Sequence, residues 1–412
     1  MRILNITETY APFFEFGGPP VKVHALAQRL AKLGGNQVAV LTADWGIEKR
    51  LPALSTEIRA ERSPFGWRLT EGTVQSIYLH SWLRYRTLTW NPAIKRYCRA
   101  RLSNFDVVHI FGLYDLFGPA VAEFCRQKQI PYVVEPIGMF VPIVRNLWLK
   151  RLYHRVLGKR LMEGASAVVA TSEREVEELS AGGVPREKIV MRPNGVTVPD
   201  TWPARGTFRA KHGVPGDAKL VLFLGRLSTK KSPDLLLAAF ARLPESLNGK
   251  TTHLVFAGPD EGGLQSKLNR QAAQLGLASR VHFLGAIFDD AKWSAYLDAD
   301  VFVLPSQNEN FGNTAAEAVA AGVPVIVTEH CGIAPFLRNR AGIVIKHDVS
   351  ELSEALASLL TDQARHGRLA AGCPEVAAEL SWDRPVRQMQ DLYGSLIAKT
   401  FPARASAVLE PR

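Results

Sequence analysis

Residues 302–324 read FVLPSQNENFGNTAAEAVAAGVP, and the order strand, loop, helix within them is typical of an α/β sheet. A short apolar run predicts a buried strand, which a proline and a serine end, and a polar loop leads into a helix of small residues that stops at Gly322. Two carboxylates stand eight residues apart, Glu309 in the loop and Glu317 in the helix. Gly312 permits close approach of the backbone to a ligand, so the free N–H groups of the helix start suit an anionic or hydroxyl-rich partner. The alternative is an ordinary helix start, capped by an asparagine, with Glu317 solvated.

The composition indicates a globular chain with an excess of positive charge. The 412 residues, 47% of them hydrophobic, are enough for two domains with their own cores. Lys and Arg number 50 and Asp and Glu 39, a net charge of +11, which favours nucleotides, anionic lipid or nucleic acid as partners. No nucleic-acid-binding module is recognisable, so nucleic acid is not an expected partner.

The cysteines and the apolar segments point to a cytoplasmic protein. The four cysteines are scattered without a C-x-x-C, so neither a zinc site nor a disulfide framework is predicted. The apolar stretch at the N-terminus is too short for a signal peptide, and no run of about 18 apolar residues predicts a spanning helix.

A second strand-to-helix loop carries two cations. The apolar residues 220–224 predict a strand, the loop GRLSTKK follows from Gly225, and a helix begins near Pro233. Arg226 can grip one phosphate with its planar fork and Lys231, five residues later, can bind the next as a point charge. This spacing predicts a site for a diphosphate.

The first half of the chain offers weaker signals. Gly17 and Gly18 lie between a predicted strand and helix, where they either admit a phosphate or sugar or form only a turn. They do not form G-x-G-x-x-G, which lowers the odds of a dinucleotide enzyme. His109, near the end of the strand FDVVHIFG, either handles protons beside a ligand or is a packed structural histidine.

Two segments mix aromatic or leucine residues with cations. They are YLHSWLRYRTLTWNPAIKRYCRARL at 78–102, which contains Arg86, and VRNLWLKRLYHRVLGKRLMEGA at 144–165, which contains Arg145. Such segments are typical of peripheral contact with an anionic membrane, where rings sit at headgroup depth. Core aromatics beside solvated arginines are the alternative.

The strand series predicts two domains. We expect one α/β domain at 1–198, a second at 199–380, and a final helix and tail at 381–412 that crosses back to the first domain. The proline-rich region 199–219 has no apolar periodicity and predicts an interdomain linker.

In this order, the motifs resemble those of the retaining family 4 glycosyltransferases, which have the GT-B fold. The E-x7-E signature of that family corresponds to Glu309 and Glu317 within ENFGNTAAEA. Its G-R-L-x-x-x-K phosphate loop corresponds to GRLSTKK, its glycine-rich acceptor loop to FGGPP at 16–20, and its N-G-V linker entry to residues 194–196. The resemblance implies an α/β fold of GT-B type, with two Rossmann-like domains whose parallel sheets face each other across a deep interdomain cleft.

The resemblance also implies a reaction and the residues that carry it. A sugar would pass from a nucleotide-diphosphate sugar to an acceptor hydroxyl with retention of configuration, without a metal or another cofactor. Arg226 and Lys231 would bind the diphosphate and stabilise it as it leaves, Glu309 would hold sugar hydroxyls and Glu317 would accept from the ribose. The donor-binding residues implied are Gly18, Gly225, Asn310, Phe311, Gly312, Asn313 and Glu317.

One position departs from the family pattern. Many relatives read D-V-V-H-x-H at this strand end and use the second histidine near the donor sugar, but Phe111 stands there in this chain. His109 is the remaining candidate for a catalytic histidine, although we expect strand alternation to put it on the opposite face from Phe111. Glu135, Tyr114 or Asp115 would then supply the missing polar contact.

Three hypotheses for the acceptor follow. The first is a lipid-linked or polysaccharide precursor at the cytoplasmic membrane face, with peripheral contact between the protein and anionic lipid. The second is a soluble small molecule such as a sugar phosphate. The third is a nucleotide-sugar-binding protein without catalysis.

Overall fold

The computed structural model describes residues 1–85, 88–141 and 147–408, and the side chains of Tyr85 and of 401–408 are not described. Arg86 and Arg145 of the two basic segments lie outside these residues. The chain forms two compact units. Unit 1 comprises Met1–Pro193 and the chain from Trp382 onward, and unit 2 is Asn194–Ser381.

Unit 1 is built on a nine-stranded sheet with the order β11-β10-β9-β8-β1-β2-β5-β4-β3. Its strands are β1 (Arg2–Thr7), β2 (Gln37–Ala43), β3 (Arg59–Ser63), β4 (Gly66–Glu71), β5 (Val74–Leu79), β6 (Leu83–Tyr85), β7 (Leu88–Trp90), β8 (Val107–Phe111), β9 (Tyr132–Glu135), β10 (Ala167–Ala170) and β11 (Ile189–Met191). Its helices are α1 (Gly18–Lys32), α2 (Ala93–Arg101), α3 (Phe117–Gln127), α4 (Leu147–Tyr153), α5 (Lys159–Glu163) and α6 (Glu173–Ala181). Strands β3 and β4 extend the sheet antiparallel, and β6 and β7 form a separate hairpin.

The connections of unit 1 reverse direction beside β1. The chain runs from β1 to β2 on one side, and it later places β8 on the other side of β1. Ligands of open α/β sheets bind at the carboxyl ends of the strands where this reversal occurs. The loops that follow β1 and β8 therefore border the expected ligand-binding edge of unit 1.

Unit 2 is built on a seven-stranded sheet with the order β13-β14-β12-β16-β17-β18, and β15 pairs with β14. Its strands are β12 (Lys219–Leu224), β13 (Ser246–Leu247), β14 (Lys250–Ala257), β15 (Val281–Phe283), β16 (Val301–Leu304), β17 (Val325–Thr328) and β18 (Gly342–Ile345). Its helices are α7 (Thr207–His212), α8 (Pro233–Phe240), α9 (Leu264–Gln274), α10 (Asp289–Asp298), α11 (Asn313–Ala320), α12 (Ala334–Leu337), α13 (Val349–Thr361) and α14 (Gln363–Glu379). Only the two-residue β13 pairs antiparallel among the described strands of this sheet.

Apolar layers bury both faces of the unit 2 sheet. Along β12, Leu220, Leu222 and Leu224 join one core layer, and Val221 and Phe223 join the other. A parallel strand covered on both faces needs a continuous apolar run rather than an alternation, and the sequence of β12 has one. The connections reverse beside this strand, with β14 on one side and β16 on the other.

The region 199–219, predicted as a linker, packs on unit 2 instead. Helix α7 lies within it and buries Phe208 in the core. The carboxylate of Asp298 accepts hydrogen bonds from the backbone N–H groups of Gly206 and Arg209, at 2.5 and 3.0 Å. The linker prediction was wrong because a six-residue helix held by one buried side chain shows no periodicity. The preceding residues also belong with unit 2, since Val196 N donates to the Leu380 carbonyl oxygen at 2.8 Å.

The last helix of the chain, α15 (Asp383–Val408), returns to unit 1. Trp382, Met389 and Tyr393 are buried in the unit 1 core together with residues of α1 and β1. No helix among the described residues combines the length and apolarity needed to cross a membrane.

Candidate functional site

An ion pair joins two loops at the carboxyl edge of the unit 2 sheet. Lys231, in the loop after β12, contacts Glu309, in the loop after β16. The backbone N–H of Gln307 donates to the carbonyl oxygen of Lys230 at 3.0 Å, which holds the same two loops together. The Lys231 and Glu309 side chains remain 20% and 17% exposed. Because the sheet connections reverse between β12 and β16, this accessible pair lies where α/β sheets bind ligands.

Backbone hydrogen bonds fix the Glu309 loop. Glu309 N donates to the His330 carbonyl oxygen, and Gly332 N donates to that of Glu309, both at 3.0 Å. Gly312 has φ +110°, and a Cβ there would lie 2.9 Å from Cγ2 of Ile333. The glycine is therefore required by backbone conformation and by packing. The side chain of Phe311 is buried in the core, so only its backbone lies at the site.

Arg226 supplies a second cation in the β12 loop. Its side chain is exposed, and no hydrogen bond or ion pair joins its guanidinium to another described residue. The neighbouring Gly225 donates its N–H to the Ala257 carbonyl oxygen at 2.9 Å. Gly258 packs against this turn so closely that a Cβ there would lie 1.9 Å from the Gly225 oxygen. A fixed turn thus carries a guanidinium that is open to an anion.

Glu317 has different surroundings from Glu309. Its two carboxylate oxygens accept from Lys292 Nζ at 2.8 Å and from the Tyr296 hydroxyl at 2.9 Å. Burial and the adjacent carboxylate raise the pKa of Tyr296 well above its ordinary value, so the phenol stays a donor. The sequence reasoning missed Lys292 and Tyr296, whose signal is the i, i+4 spacing that puts them on one face of α10.

The start of α11 is tied to the N-G-V motif. Gly312 occupies the N-cap position, and no side chain caps the helix. The side chain of Asn313, the first helical residue, accepts from Asn194 Nδ2 at 3.0 Å. The partly buried Asn310 precedes this start. The first N–H groups of α11 are therefore left for another acceptor, which suits an anionic ligand.

Gly18 belongs to unit 1, whereas the other predicted donor-binding residues belong to unit 2. It is the first residue of α1, and Gly17, with φ +98°, occupies the N-cap position. Pro19 and Pro20 follow, and proline has no backbone N–H. The first turn of α1 therefore offers fewer donors to an anion than an ordinary helix start.

The prediction that His109 and Phe111 point to opposite faces was wrong. Their rings stack with centroids 3.9 Å apart, on the same face of β8. Successive strand residues alternate, so side chains two positions apart share a face. His109 is fully buried in unit 1, and its catalytic role stays a prediction.

A buried cluster of charges surrounds His109. Glu135 contacts Lys22 and accepts from Arg192 Nη2 at 2.6 and 2.8 Å, and its carboxylate lies 3.4 Å from His109 Nε2. The Tyr393 hydroxyl of α15 is 2.6 Å from His109 Nδ1. All five side chains are almost inaccessible to solvent. Glu135, considered as a polar contact for the sugar, is thus held inside unit 1.

Burial and charge shift the pKa values in this cluster in different directions. Burial alone would raise the pKa of Glu135, but the positive charges of Arg192 and Lys22 outweigh it and hold that pKa well below its usual range. Burial lowers the pKa of Lys22 to about 8 and also lowers that of His109. In this cluster Glu135 therefore stays ionised, and His109 favours its neutral form.

The other two candidates for a polar contact follow β8. The Tyr114 hydroxyl is 2.8 Å from His154 Nε2, and Asp115 accepts from the Gly118 N–H at 2.8 Å. Glu8, which the sequence reasoning missed, follows β1 and lies beside Asp115. Burial raises the pKa of Asp115 to about 6, and burial together with Asp115 raises that of Glu8 to about 9. Both carboxyls lie at the edge where the unit 1 connections reverse, which is where α/β sheets bind ligands. Glu8 could not be recognised from the sequence, because the order of strands in the sheet brings it beside Asp115.

Two family models match the chain. The model "Glycosyl transferases group 1" matches residues 204–373, and the model "Glycosyl transferase 4-like domain" matches residues 17–195. Among the described residues, no group of three or more His, Cys, Asp or Glu is placed to bind a metal ion.

Two curated relatives have the same name. A D-inositol 3-phosphate glycosyltransferase of Corynebacterium urealyticum is 31% identical, in an alignment that covers 100% of this chain and 99% of the relative. The protein of that name from Xylanimonas cellulosilytica is 34% identical, over 61% of this chain and 62% of the relative.

A solved structure shares the fold. The Anabaena protein Alr3699/HepE, crystallised with UDP and glucose, superposes with a TM-score of 0.74 at 18% identity, over 96% of this chain and 100% of that chain. This likeness confirms the predicted α/β fold of GT-B type, with a largely parallel sheet in each unit.

Proposed function

This chain belongs to the family 4 glycosyltransferases, and we propose that it transfers a sugar from a nucleoside-diphosphate sugar to a hydroxyl of a soluble small-molecule acceptor. The observation that carries the proposal is the Lys231–Glu309 pair at the reversal point of the unit 2 sheet, in which Lys231 shares a loop with the exposed guanidinium of Arg226. Cations and a carboxylate together suit a ligand with both phosphates and hydroxyls.

The donor is held by unit 2 in this proposal. Arg226 and Lys231 bind the diphosphate, and they stabilise the negative charge that develops as it leaves the sugar. Glu309 accepts from sugar hydroxyls, and its contact with Lys231 sets the carboxylate beside the diphosphate. The uncapped start of α11 contributes backbone N–H groups. Glu317 accepts from the ribose.

The reaction replaces one bond to the anomeric carbon with another on the same face. The bond to the diphosphate oxygen breaks, the acceptor oxygen bonds to that carbon, and the acceptor proton passes to the departing diphosphate. No carboxylate nucleophile is needed in this route, and the two cations take the charge-stabilising role that a metal would have. Sugar transfer that survives a chelator, with retained configuration in the product by NMR, supports this; an inverted product refutes it.

The two residues of the ion pair provide the test of the site. Lys231→Ala should lower the turnover number by about 10²- to 10³-fold, the effect of losing one charge-stabilising group. Glu309→Ala should also lower the turnover number, because the sugar hydroxyls lose their acceptor. Lys267→Ala, an exposed lysine on α9, is the matched control and should keep wild-type turnover. Wild-type rates in both site variants would refute the assignment, and no turnover by the wild type with any donor would favour a binding protein.

The acceptor proposal rests on the relatives, whose name specifies an inositol phosphate. We expect release of nucleoside diphosphate when the protein is mixed with UDP-, GDP- or ADP-sugars and D-inositol 3-phosphate or a sugar phosphate. Free inositol, which lacks the phosphate, is the matched control acceptor. If only lipid extracts support release, the soluble acceptor is refuted.

A membrane-borne acceptor is the second candidate, and exposed apolar side chains on two elements of unit 1 favour it. Trp82 is 74% exposed next to the β6–β7 hairpin, and Trp148 is 66% exposed on α4. Leu152 follows on the same helix, with the exposed Arg151 and Arg155 beside it. Aromatic and leucine side chains among cations suit an anionic lipid surface.

Vesicle binding separates the two candidates. For the membrane candidate, wild type should co-sediment with vesicles of phosphatidylglycerol at low salt and not with phosphatidylcholine, and Trp148→Ala should weaken binding. Leu275→Ala, at an exposed apolar residue of unit 2, is the control. Equal recovery of wild type and Trp148→Ala with the vesicles would count against a lipid-facing role for this helix.

A further inference from the structure

We infer that Lys292 and Tyr296 are positioning residues that orient the Glu317 carboxylate towards the ribose of the nucleotide, and so make this protein selective for ribonucleotides over deoxyribonucleotides. The inference rests on the proposed function, in which Glu317 accepts from the ribose. It assigns a role to two residues of α10 that none of the sequence motifs includes.

Each oxygen of the Glu317 carboxylate accepts a hydrogen bond from a different residue of α10. Lys292 Nζ lies 2.8 Å from Oε1 of Glu317, and the Tyr296 hydroxyl lies 2.9 Å from Oε2. The two donors are one helical turn apart on α10, so they approach the carboxylate from one side. Rotation of the Glu317 side chain would break both hydrogen bonds at once.

The surroundings of α10 keep both donors in place. Tyr296 is fully buried and packs against Trp293 and Phe302, with ring centroids 5.7 and 5.6 Å away. Lys292 Nζ lies 4.8 Å from the centroid of the Trp293 ring, a cation–π contact. The ammonium is thus held by a carboxylate and by an aromatic face, and neither donor can swing away freely.

The acceptor capacity of Glu317 is only half used. An ionised carboxylate has about four lone-pair sites, and the two donors of α10 occupy one on each oxygen. One site on each oxygen remains, and the neighbouring 2′- and 3′-hydroxyls of a ribose are a pair of donors that matches a pair of fixed acceptors. A site built to bond a hydroxyl discriminates strongly against a ligand that lacks it, because its acceptor is left unpaired.

The test measures the affinity lost when one ribose hydroxyl is removed. Isothermal titration with UDP, ADP and GDP finds the diphosphate that binds tightest, and its 2′-deoxy and 3′-deoxy forms are then titrated. Wild type should lose about tenfold or more for at least one deoxy form, as expected for a hydrogen bond to a charged group. Lys292→Met should bind the ribose form more weakly. The ratio of the Kd for the deoxy form to the Kd for the ribose form should then fall towards one. Tyr296→Phe should reduce it less, and Lys292→Arg should restore it.

Two controls separate orientation from general damage. Lys267→Met removes an exposed cation of unit 2 and should leave the ratio as in wild type. Arg226→Met removes a phosphate contact and should weaken ribose and deoxy forms equally.

Several outcomes would overturn the inference. An unchanged ratio in Lys292→Met, with equal weakening for all forms, would show a purely structural role. A larger ratio would show that Lys292 competes with the ribose. Equal affinity of the wild type for the ribose and deoxy forms would show that Glu317 does not bind the ribose. Failure of the proposed transferase activity is a separate result, because these titrations need no acceptor and no turnover.

Discussion

Replacing Glu135 by leucine should destabilise unit 1 by about 3–5 kcal/mol, the cost of removing one partner from a buried ion pair. The substitution leaves Arg192 and Lys22 buried without their carboxylate. Lys22 can respond by releasing its proton, since its pKa is already lowered to about 8, and each pKa unit costs only about 1.4 kcal/mol. Arg192 cannot respond in this way, because a guanidinium stays protonated in proteins. The unpaired charge of Arg192 therefore accounts for most of the stability lost in Glu135→Leu.

Hydrogen exchange of the β9 amides measures this loss, because it reports the opening of unit 1 separately from unit 2. Glu123→Leu is the control: Glu123 pairs with Arg126 at the surface, where such a pair contributes about 0–1 kcal/mol. A loss of less than about 1 kcal/mol for Glu135→Leu would refute the reasoning, since it would mean that water reaches Arg192.

The same variant has a defined pH dependence. The folded state holds the pKa of Glu135 below its ordinary value near 4.5, so this group stabilises the fold above that value. The contribution is lost as the pH falls below it towards the folded-state pKa. Glu135→Leu should accordingly lose less stability than wild type between neutral pH and pH 3.

Two further predictions concern stability. Glu8→Gln should stabilise unit 1 at pH 8, because burial and Asp115 raise the pKa of Glu8 from near 4.5 to about 9. Between these values the unfolded chain releases the Glu8 proton and the folded state keeps it, so the stability of the wild type falls as the pH rises. Thermal unfolding from pH 5 to 9 should show a flatter dependence on pH for the variant, and parallel curves would contradict the assignment. Gly312→Ala should destabilise unit 2 by about 1–3 kcal/mol, since φ is +110° and the new methyl would lie 2.9 Å from Cγ2 of Ile333; Gly216→Ala, where no atom lies within 4 Å, is the control in urea unfolding, and equal midpoints would show that the loop adjusts.

The sequence predicted the parts of the fold that depend on neighbouring residues. The strands β12 and β16 are continuous apolar runs followed by glycine or proline, so the sequence predicts where each strand ends and where the loops with Arg226 and Glu309 begin. Sequence alone could not pair Lys231 with Glu309, because that contact depends on which strands are neighbours in the sheet.

The parts that escaped prediction depend on contacts between distant residues. Strand β3 of the antiparallel extension is mostly exposed and polar, so it shows no apolar alternation. Lys292 and Tyr296 lie in a helix whose sequence contains no recognisable motif, and only the packing of α10 on α11 brings them to the Glu317 carboxylate. The error at His109 was of a different kind, a misapplied strand period rather than missing information.

The return of α15 to unit 1 has a consequence for synthesis. The ribosome makes residues 194–381 before it makes Trp382 and Tyr393, so unit 2 is complete in sequence while unit 1 still lacks part of its core. Domains generally fold as units once their residues have emerged. The first half of the chain must therefore wait for the last helix, and a nascent chain arrested at residue 381 should show a protease-resistant unit 2 attached to a protease-sensitive unit 1.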